Sequence, residues 1–119
     1  PCREARQSAD ASPYAFTEAD LLRGKALYQS FCAICHGARG EGDGRAIPLG
    51  VPKPRSYHDP AVRDQPEGYF YFAATNGFGR MLPYKSRIPE RERWLIAHYI
   101  KRCLLSEACP EEVVHAEVH

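Results

Sequence analysis

The sequence lacks an excess of charge of either sign, because 16 Lys and Arg residues oppose 15 Asp and Glu residues and leave a formal net charge of +1. The cations also alternate with carboxylates, as in Arg91-Glu92-Arg93. Nucleic-acid-binding domains normally carry a large basic excess or a basic stripe. The charge pattern therefore argues against a nucleic-acid-binding protein.

Long apolar runs are also missing, and no segment approaches the roughly 20 apolar residues of a membrane-spanning helix. With 44% hydrophobic and 26% charged residues, the composition is that of a folded domain. A chain of 119 residues is enough for one compact domain with a modest core. Its start, Pro1-Cys2-Arg3, has no apolar leader, so we interpret the chain as a mature or trimmed form.

Cysteine is present in an intermediate and odd number. Five cysteines are too few for a fold built on disulfides, and they cannot all pair within one chain. We therefore expect the cysteines to serve different purposes.

Local signals at the start of the chain predict a helix followed by a long loop. Thr17 is a suitable N-cap with Asp20 at the third helical position, and the helix that starts there should run into Cys32. Five glycines and four prolines between residues 37 and 60 exclude long regular structure there. We divide the chain into an extension laid over the domain (residues 1–16), the domain itself (17–105) and a C-terminal tail (106–119).

Two further helices are predicted in the second half of the chain. One should run from Pro66 to Gly77, with a common face formed by Tyr69, Phe72, Ala73 and Asn76. The last should have Pro89 as its first residue and end near Leu104. Its predicted buried face consists of Leu95, Ile96, Tyr99, Ile100 and Cys103. The acidic tail has few core-forming residues and is expected on the surface, and no strand-rich segment is present, so the fold class is all-α.

Cys32-Ala33-Ile34-Cys35-His36 is the strongest chemical signal in the chain. Cysteines at i and i+3 lie on one face of a helical turn, so both thiols can add to the two vinyl groups of one haem, and His36 is delivered to the iron. Zinc needs a second ligand pair at a matching spacing, whereas Cys103 and Cys109 are six residues apart. A thioredoxin-like site needs strands and a crossover helix. The motif predicts one covalently bound haem c with its iron, held by Cys32 and Cys35.

The iron then needs a second axial ligand or an open position. Met81 is the only methionine, it lies in a Gly/Pro loop, and it is far enough along the chain to reach the opposite haem face. We predict that His36 and Met81 are the iron ligands. His58 is the competing candidate and would give a bis-histidine site of lower potential. The remaining histidines are interpreted as structural or surface residues: His98, His115 and His119.

This pattern resembles the class I cytochromes c over about residues 17–105. The matching features are Gly24-Lys25-Ala26-Leu27-Tyr28, Cys32-x-x-Cys35-His36-Gly37, Gly42-Asp43-Gly44, Asn76-Gly77, Met81-x-Pro83 and Trp94 through Tyr99. In that family a glycine on the first helix lets the last helix cross closely, and Gly24 with Tyr28 opposite Ile96 and Tyr99 resembles this contact. The resemblance implies a class I cytochrome c fold, in which short helices and long loops wrap one haem c and the N- and C-terminal helices cross.

The sequence departs from the family pattern at two positions. Leu82, and not proline, follows Met81, and Arg45 stands where relatives often have proline after Gly-Asp-Gly. The second departure leaves open which carbonyl, such as that of Pro48, orients the Nδ1 proton of His36.

The run from Tyr71 to Tyr99 is most similar to monohaem cytochrome subunits associated with alternative complex III and with bacterial terminal oxidases. The resemblance implies an electron carrier, not an enzyme, that passes single electrons from a quinol-oxidising complex to a terminal oxidase. A haem peroxidase or a gas-sensing cytochrome with a labile sixth ligand is the alternative, and a domain of a larger oxidase subunit is a third interpretation. We expect a monomer in the periplasm or on the outer face of the cytoplasmic membrane, because haem c is attached after export.

Three cysteines remain outside the motif, and an oxidising compartment would let them form disulfides. A Cys103–Cys109 bridge that pins the tail is the first choice, because Cys109 follows the last helix after a short turn. Cys2 is then left over; it can instead pair with Cys109, or it can carry a lipid that tethers the protein to the membrane.

Overall fold

The computed structural model describes residues 11–117 and is helical. Its α-helices are α1 (Glu18–Phe31), α2 (Ala33–His36), α3 (Pro60–Arg63), α4 (Glu67–Asn76), α5 (Glu90–Tyr99) and α6 (Glu111–His115). A 3₁₀ turn covers Ile47–Leu49, and a π-helix, Ile100–Leu104, continues α5. Strand pairing in the described part of the chain is limited to one isolated bridge between Phe78 and Met81. The all-α prediction is confirmed.

The start of α1 follows the predicted capping box. The Thr17 side chain accepts a hydrogen bond from the Asp20 backbone at 3.2 Å, and Asp20 Oδ2 accepts from the Thr17 backbone at 2.9 Å. Two otherwise unpaired N–H groups are thus satisfied at the helix end. This cap fixes where α1 begins and therefore where its other end delivers Cys32.

The crossing of α1 and α5 forms the centre of the core. A Cβ atom added to Gly24 would lie 3.1 Å from Leu95 Cγ and 3.2 Å from Tyr99 Cβ, so only glycine fits without displacement. The rings of Tyr28 and Tyr99 lie 5.7 Å apart beside it. The predicted crossing is confirmed, although Gly24 faces Leu95 where Ile96 was expected.

Replacing Gly24 by alanine is expected to lower the free energy of unfolding by about 1–2 kcal/mol, because overpacking the crossing outweighs the better helix propensity of alanine. Urea denaturation followed by circular dichroism measures the change. Gln29→Ala, on the exposed side of the same helix, is the control and should alter stability by less than about 0.5 kcal/mol. Equal stability of Gly24→Ala and the wild type would contradict the close crossing.

Helix α4 packs on α5 through a face other than the predicted one. Tyr71 and Trp94 stack with ring centroids 4.1 Å apart and planes at 9°. The residues that form the predicted common face of α4 are half-exposed or exposed. The buried residues of this helix are instead Gly68, Phe70, Tyr71, Ala74 and Thr75. The prediction failed to find the buried face because this helix carries apolar residues nearly all around, so periodicity does not select one side. Both prolines expected inside helices, Pro66 and Pro89, are instead the N-caps of α4 and α5.

The prediction of a surface tail is wrong for its middle segment. Val113 in α6 is fully buried. The Lys25 ammonium, on α1, donates hydrogen bonds to the carbonyls of Val113, Val114 and Ala116 at 2.7, 2.9 and 2.8 Å. A cation thus caps the negative end of α6, and this contact holds the tail on the domain.

The predicted Cys103–Cys109 disulfide is present and closes the turn between the π-helix and α6. Arg102 Nε donates to the Ala108 carbonyl at 3.1 Å within the same turn. The tail is therefore held at its start by a covalent bond and at its end by Lys25.

Lys25→Met is expected to lower the free energy of unfolding by about 1.5–3 kcal/mol, because three carbonyls lose a charged donor. Burial lowers the pKa of Lys25. The three carbonyls favour its charged form, because each accepts a hydrogen bond from the ammonium. Lys101→Met is the matched control, since Lys101 Nζ donates only to the Arg63 carbonyl in an exposed setting. Urea denaturation of both variants, with limited proteolysis of the tail, tests the claim; equal losses in the two variants would contradict it.

The described part of the extension, residues 11–16, lies against α5. The Phe16 ring contacts the His98 ring at 5.3 Å, and the Arg91 guanidinium lies 5.1 Å from the Phe16 ring centroid. The division into extension, domain and tail stays a prediction, and Cys2 lies outside the described residues. Among residues 11–117, no helix combines the length and apolar character needed to cross a bilayer.

Candidate functional site

The Cys32-x-x-Cys35-His36 motif forms a single tight turn at the end of α1. The Cys32 N–H donates to the Tyr28 carbonyl at 2.8 Å and so ends α1. The N–H groups of Cys35 and His36 both donate to the Cys32 carbonyl, at 3.2 and 2.9 Å. Both cysteines are free thiols. The turn thus gathers two thiols and one imidazole, as the spacing predicts.

The environment of the Cys32 thiol is unsuited to thiolate chemistry. Cys32 is only 7% exposed, and burial, helped by the nearby Cys35, raises its pKa to about 12. Zinc binding and thiol–disulfide exchange both need the thiolate. Residues 11–117 also contain no group of three or more His, Cys, Asp or Glu residues that could hold a metal ion. Burial therefore keeps the Cys32 thiol protonated at neutral pH.

His36 is half-buried, and its Nδ1 atom is fully buried. Burial lowers its pKa to about 4, so the imidazole is neutral at neutral pH. Its ring stacks on Tyr57 with centroids 4.9 Å apart. The Nδ1 atom is buried and has no hydrogen-bond partner among residues 11–117, so the suggested bond to the Pro48 carbonyl is not formed. The neutral imidazole is the form in which histidine binds a metal ion.

The Gly/Pro loop wraps tightly around this turn. A Cβ atom at Gly44 would lie 2.2 Å from the Ile34 carbonyl oxygen, and one at Gly37, whose φ is +84°, would lie 2.0 Å from Asp43 Oδ1. The Tyr28 hydroxyl donates to the Gly37 carbonyl at 2.7 Å. Glycine is therefore required at these positions, because the loop backbone approaches the motif too closely for a side chain.

Tyr57 is the site residue that sequence reasoning missed. Its N–H donates to the Gly40 carbonyl at 2.7 Å, which holds its ring against His36. The signal was present as an aromatic residue near the end of a Gly/Pro loop, but sequence spacing alone does not show which ring it meets.

Met81 lies on a tight turn formed by Phe78-Gly79-Arg80-Met81. The Met81 N–H donates to the Phe78 carbonyl at 2.8 Å, and the Phe78 N–H donates back to the Met81 carbonyl at 3.2 Å. A Cβ atom at Gly77 would lie 2.4 Å from the Met81 carbonyl oxygen. Both backbone groups of Met81 form hydrogen bonds within this turn, so the position of its backbone is fixed. Its side chain is half-buried.

Tyr84 connects the Met81 segment to the cysteine turn. Its hydroxyl donates to the Phe31 carbonyl at 3.4 Å, and its ring contacts the Phe31 ring edge-on at 5.9 Å. Burial, with smaller contributions from Cys32 and Cys35, raises the pKa of Tyr84. The structure thus brings the segment that carries Met81 to the residue next to Cys32.

The other histidines have partners elsewhere. His58 is exposed, and its Nε2–H donates to the Arg39 carbonyl at 2.8 Å. His98 Nδ1 pairs with Glu67 at 3.3 Å, and His115 pairs with Glu111 at 2.9 Å. His119 lies outside the described residues.

Large exposed apolar side chains concentrate on the same segments. In the described part of the chain, all of them except Val114 on α6 belong to the cysteine turn, the Gly/Pro loop and the Met81 segment: Ile34, Leu49, Val51, Phe78 and Leu82. Together with two free thiols, a neutral imidazole and a thioether, they form the donor set and apolar surroundings that haem c requires. The residues present therefore fit this cofactor.

Comparisons with known proteins agree with this chemistry. The family model described as "Cytochrome C oxidase, cbb3-type, subunit III" matches residues 19–100, which include the motif and Met81. No curated protein matches the chain. Several solved structures are also similar to the chain. One is a chain of the Kuenenia stuttgartiensis reducing HAO-like protein complex Kustc0457/Kustc0458, with 26% identity over 82% of this chain and a TM-score of 0.62.

This chain spans 49% of that solved chain, or about half its length. Another structure is the KustC0563 c-type cytochrome, with 20% identity, a TM-score of 0.56, and coverage of 71% of this chain and 98% of that one. The second likeness bears on the fold alone.

Proposed function

The chain belongs to the family of cbb3-type cytochrome c oxidase subunit III, and on that premise we propose that it carries single electrons between respiratory membrane complexes. Membership makes it an electron-transfer haem protein of class I cytochrome c fold with covalently bound haem c. The proposed donor is a quinol-oxidising complex and the proposed acceptor is a terminal oxidase. Haem c supplies a one-electron Fe(III)/Fe(II) couple when it is bound.

One observation carries the assignment of the site: two free thiols and a half-buried, neutral imidazole lie on one turn. Cys32 and Cys35 would hold the haem covalently, and His36 would bind its iron. Met81 would supply the second iron ligand, and its segment is linked through Tyr84 to the residue before Cys32.

The residues around this site suit electron transfer without proton transfer. His36 stays neutral at neutral pH, and the uncharged thioether of Met81 favours Fe(II), which raises the potential. Tyr57 and Tyr84 cover the turn with aromatic rings and exclude water from it. A carrier therefore fits better than a peroxidase or a gas sensor, since either of these needs a sixth position that opens easily.

The charge distribution predicts a weakly charged contact with redox partners. The net charge of +1 falls further when ionised haem propionates are counted, so no strong field remains for steering. Phe78 and Leu82, both mostly exposed beside Met81, offer an apolar contact surface, and Arg80, Lys85 and Arg87 flank it. Transient docking suits a carrier that must dissociate after each electron.

The location and assembly state follow from the proposed reaction. We place the protein in the periplasm or on the outer face of the cytoplasmic membrane, as a monomer, with Cys2 as a possible point of lipid attachment. The competing interpretation, one domain of a larger oxidase subunit, is favoured by the likeness to about half of a chain from a protein complex.

Stopped-flow oxidation of the reduced protein by a terminal oxidase of the same organism tests the function. We expect rapid oxidation with a rate that changes less than about tenfold between low and physiological salt. Peroxide consumption or tight carbon monoxide binding by the native protein, in place of electron delivery, would favour the alternative and overturn the proposal.

A further inference from the structure

Arg93 is a buried cation that the proposed chemistry leaves without a function. It lies in the first turns of α5, is 6% exposed, and forms no ion pair with any carboxylate among residues 11–117. A buried charge without an opposite charge needs dense hydrogen bonding. The hydrogen-bond partners of Arg93 show which segments of the chain this residue connects.

Its guanidinium joins α4 to the segment that follows Met81. Nε donates to Thr75 Oγ1 at 3.0 Å and Nη2 to the Tyr71 hydroxyl at 3.3 Å, both on α4. Nη1 donates to the Lys85 carbonyl at 2.9 Å and also to the Ile88 carbonyl. These hydrogen bonds leave the guanidinium in several directions within its plane. A lysine ammonium, which is a compact point charge, cannot reproduce this planar fork of donors.

These contacts complete the support of Met81 on both sides. Before Met81, the turn that starts at Phe78 is closed by two backbone hydrogen bonds. After it, the Tyr84 N–H donates to the Ala74 carbonyl at 2.8 Å, and Arg93 fixes Lys85 and Ile88. The segment 85–88 is thus held by the backbone bonds of Arg87 and Ile88 to the Tyr84 carbonyl and by the Arg93 side chain, which ties it to α5.

We propose that Arg93 is a positioning residue that keeps the Met81 thioether on the iron. This inference rests on the proposed function, in which Met81 is the second axial ligand. Without the fork, residues 85–88 lose their hydrogen bonds to α5, and Met81 leaves the iron for a larger fraction of the time.

Binding of added imidazole to the oxidised holoprotein measures that fraction. Imidazole can bind the iron only when Met81 has dissociated from it. The apparent affinity for imidazole is therefore proportional to the fraction of molecules in which Met81 is not bound to the iron. We expect Arg93→Lys to tighten imidazole binding by about tenfold or more. In a Met81→Ala background the position is already open, and Arg93→Lys should then change the affinity less than about twofold.

Two controls separate positioning from a general loss of stability. Gly24→Ala weakens the α1–α5 crossing without touching the Arg93 contacts, and Arg91→Lys replaces an exposed arginine of the same helix. Both should leave imidazole affinity near the wild-type value. If Arg93→Lys does not fold, Thr75→Val removes one acceptor of the fork and should shift affinity in the same direction by a smaller factor.

The outcomes are distinct. Equal tightening by Arg93→Lys in the wild-type and Met81→Ala backgrounds, or tightening matched by Gly24→Ala, overturns the positioning role. A normal response of Met81→Ala with no effect of Arg93→Lys also overturns it and leaves the proposed function intact. A Met81→Ala variant with unchanged spectrum and imidazole affinity overturns the ligand assignment and, with it, this inference.

Discussion

Met81→Ala is expected to convert the oxidised protein from a low-spin to a high-spin or water-ligated iron and to lower its reduction potential. The neutral thioether favours Fe(II), so its loss lowers the reduction potential. Axial ligands set haem potentials over a range of ~0.8 V, so the decrease should be large enough to measure. The vacated position should also admit carbon monoxide and peroxide. Optical spectroscopy with a redox titration measures these changes, including loss of the weak long-wavelength absorption of an iron–thioether bond.

Leu82→Ala is the matched control for this change. Leu82 is 68% exposed and follows Met81 directly, so its truncation perturbs the same segment without removing the sulfur. Its spectrum and potential should stay close to those of the wild type. A Met81→Ala protein that remains low-spin would point to another ligand, with His58 the first residue to test.

Replacing Cys32 and Cys35 together by serine is expected to abolish covalent haem attachment. Serine hydroxyls do not form thioethers with the vinyl groups, so acid–acetone should extract all colour from the variant and none from the wild type. The turn itself should persist, because its hydrogen bonds run through the backbone. Each single variant retains one thiol and should keep one covalent bond with an altered spectrum.

The Cys103→Ser and Cys109→Ser double variant is the control, since it also removes two sulfur atoms. Opening this short loop should cost about 2 kcal/mol of stability but leave the haem bound. Extraction of haem from the wild-type protein, or retention of covalent haem by the Cys32/Cys35 double variant, would contradict the attachment sites.

The sequence predicted those parts of the fold that depend on local chemistry. The capping box at Thr17, the start of α5 next to Pro89 and the Cys103–Cys109 turn each involve residues a few positions apart. The cysteine turn belongs to the same class, because its spacing alone places the two thiols and His36 together.

Long-range pairs were beyond the reach of sequence patterns. Arg91 and Arg93 stand two positions apart in one alternating run of charges, yet Arg91 is exposed and Arg93 is buried. Val113 is apolar in an acidic tail, and its burial depends on Lys25, 88 residues away. Charge and hydropathy describe each residue alone, whereas these outcomes depend on which helix face meets which loop.

Aromatic stacking at the junction of α4 and α5 provides an intrinsic optical probe. Trp94 is the only tryptophan of the chain, is 3% exposed, and stacks on Tyr71. Its fluorescence therefore comes from a single place in the molecule, beside the arginine that ties down the Met81 segment. A bound porphyrin would suppress this emission by energy transfer, so a rise in fluorescence would report unfolding of the α4–α5 junction or loss of the haem.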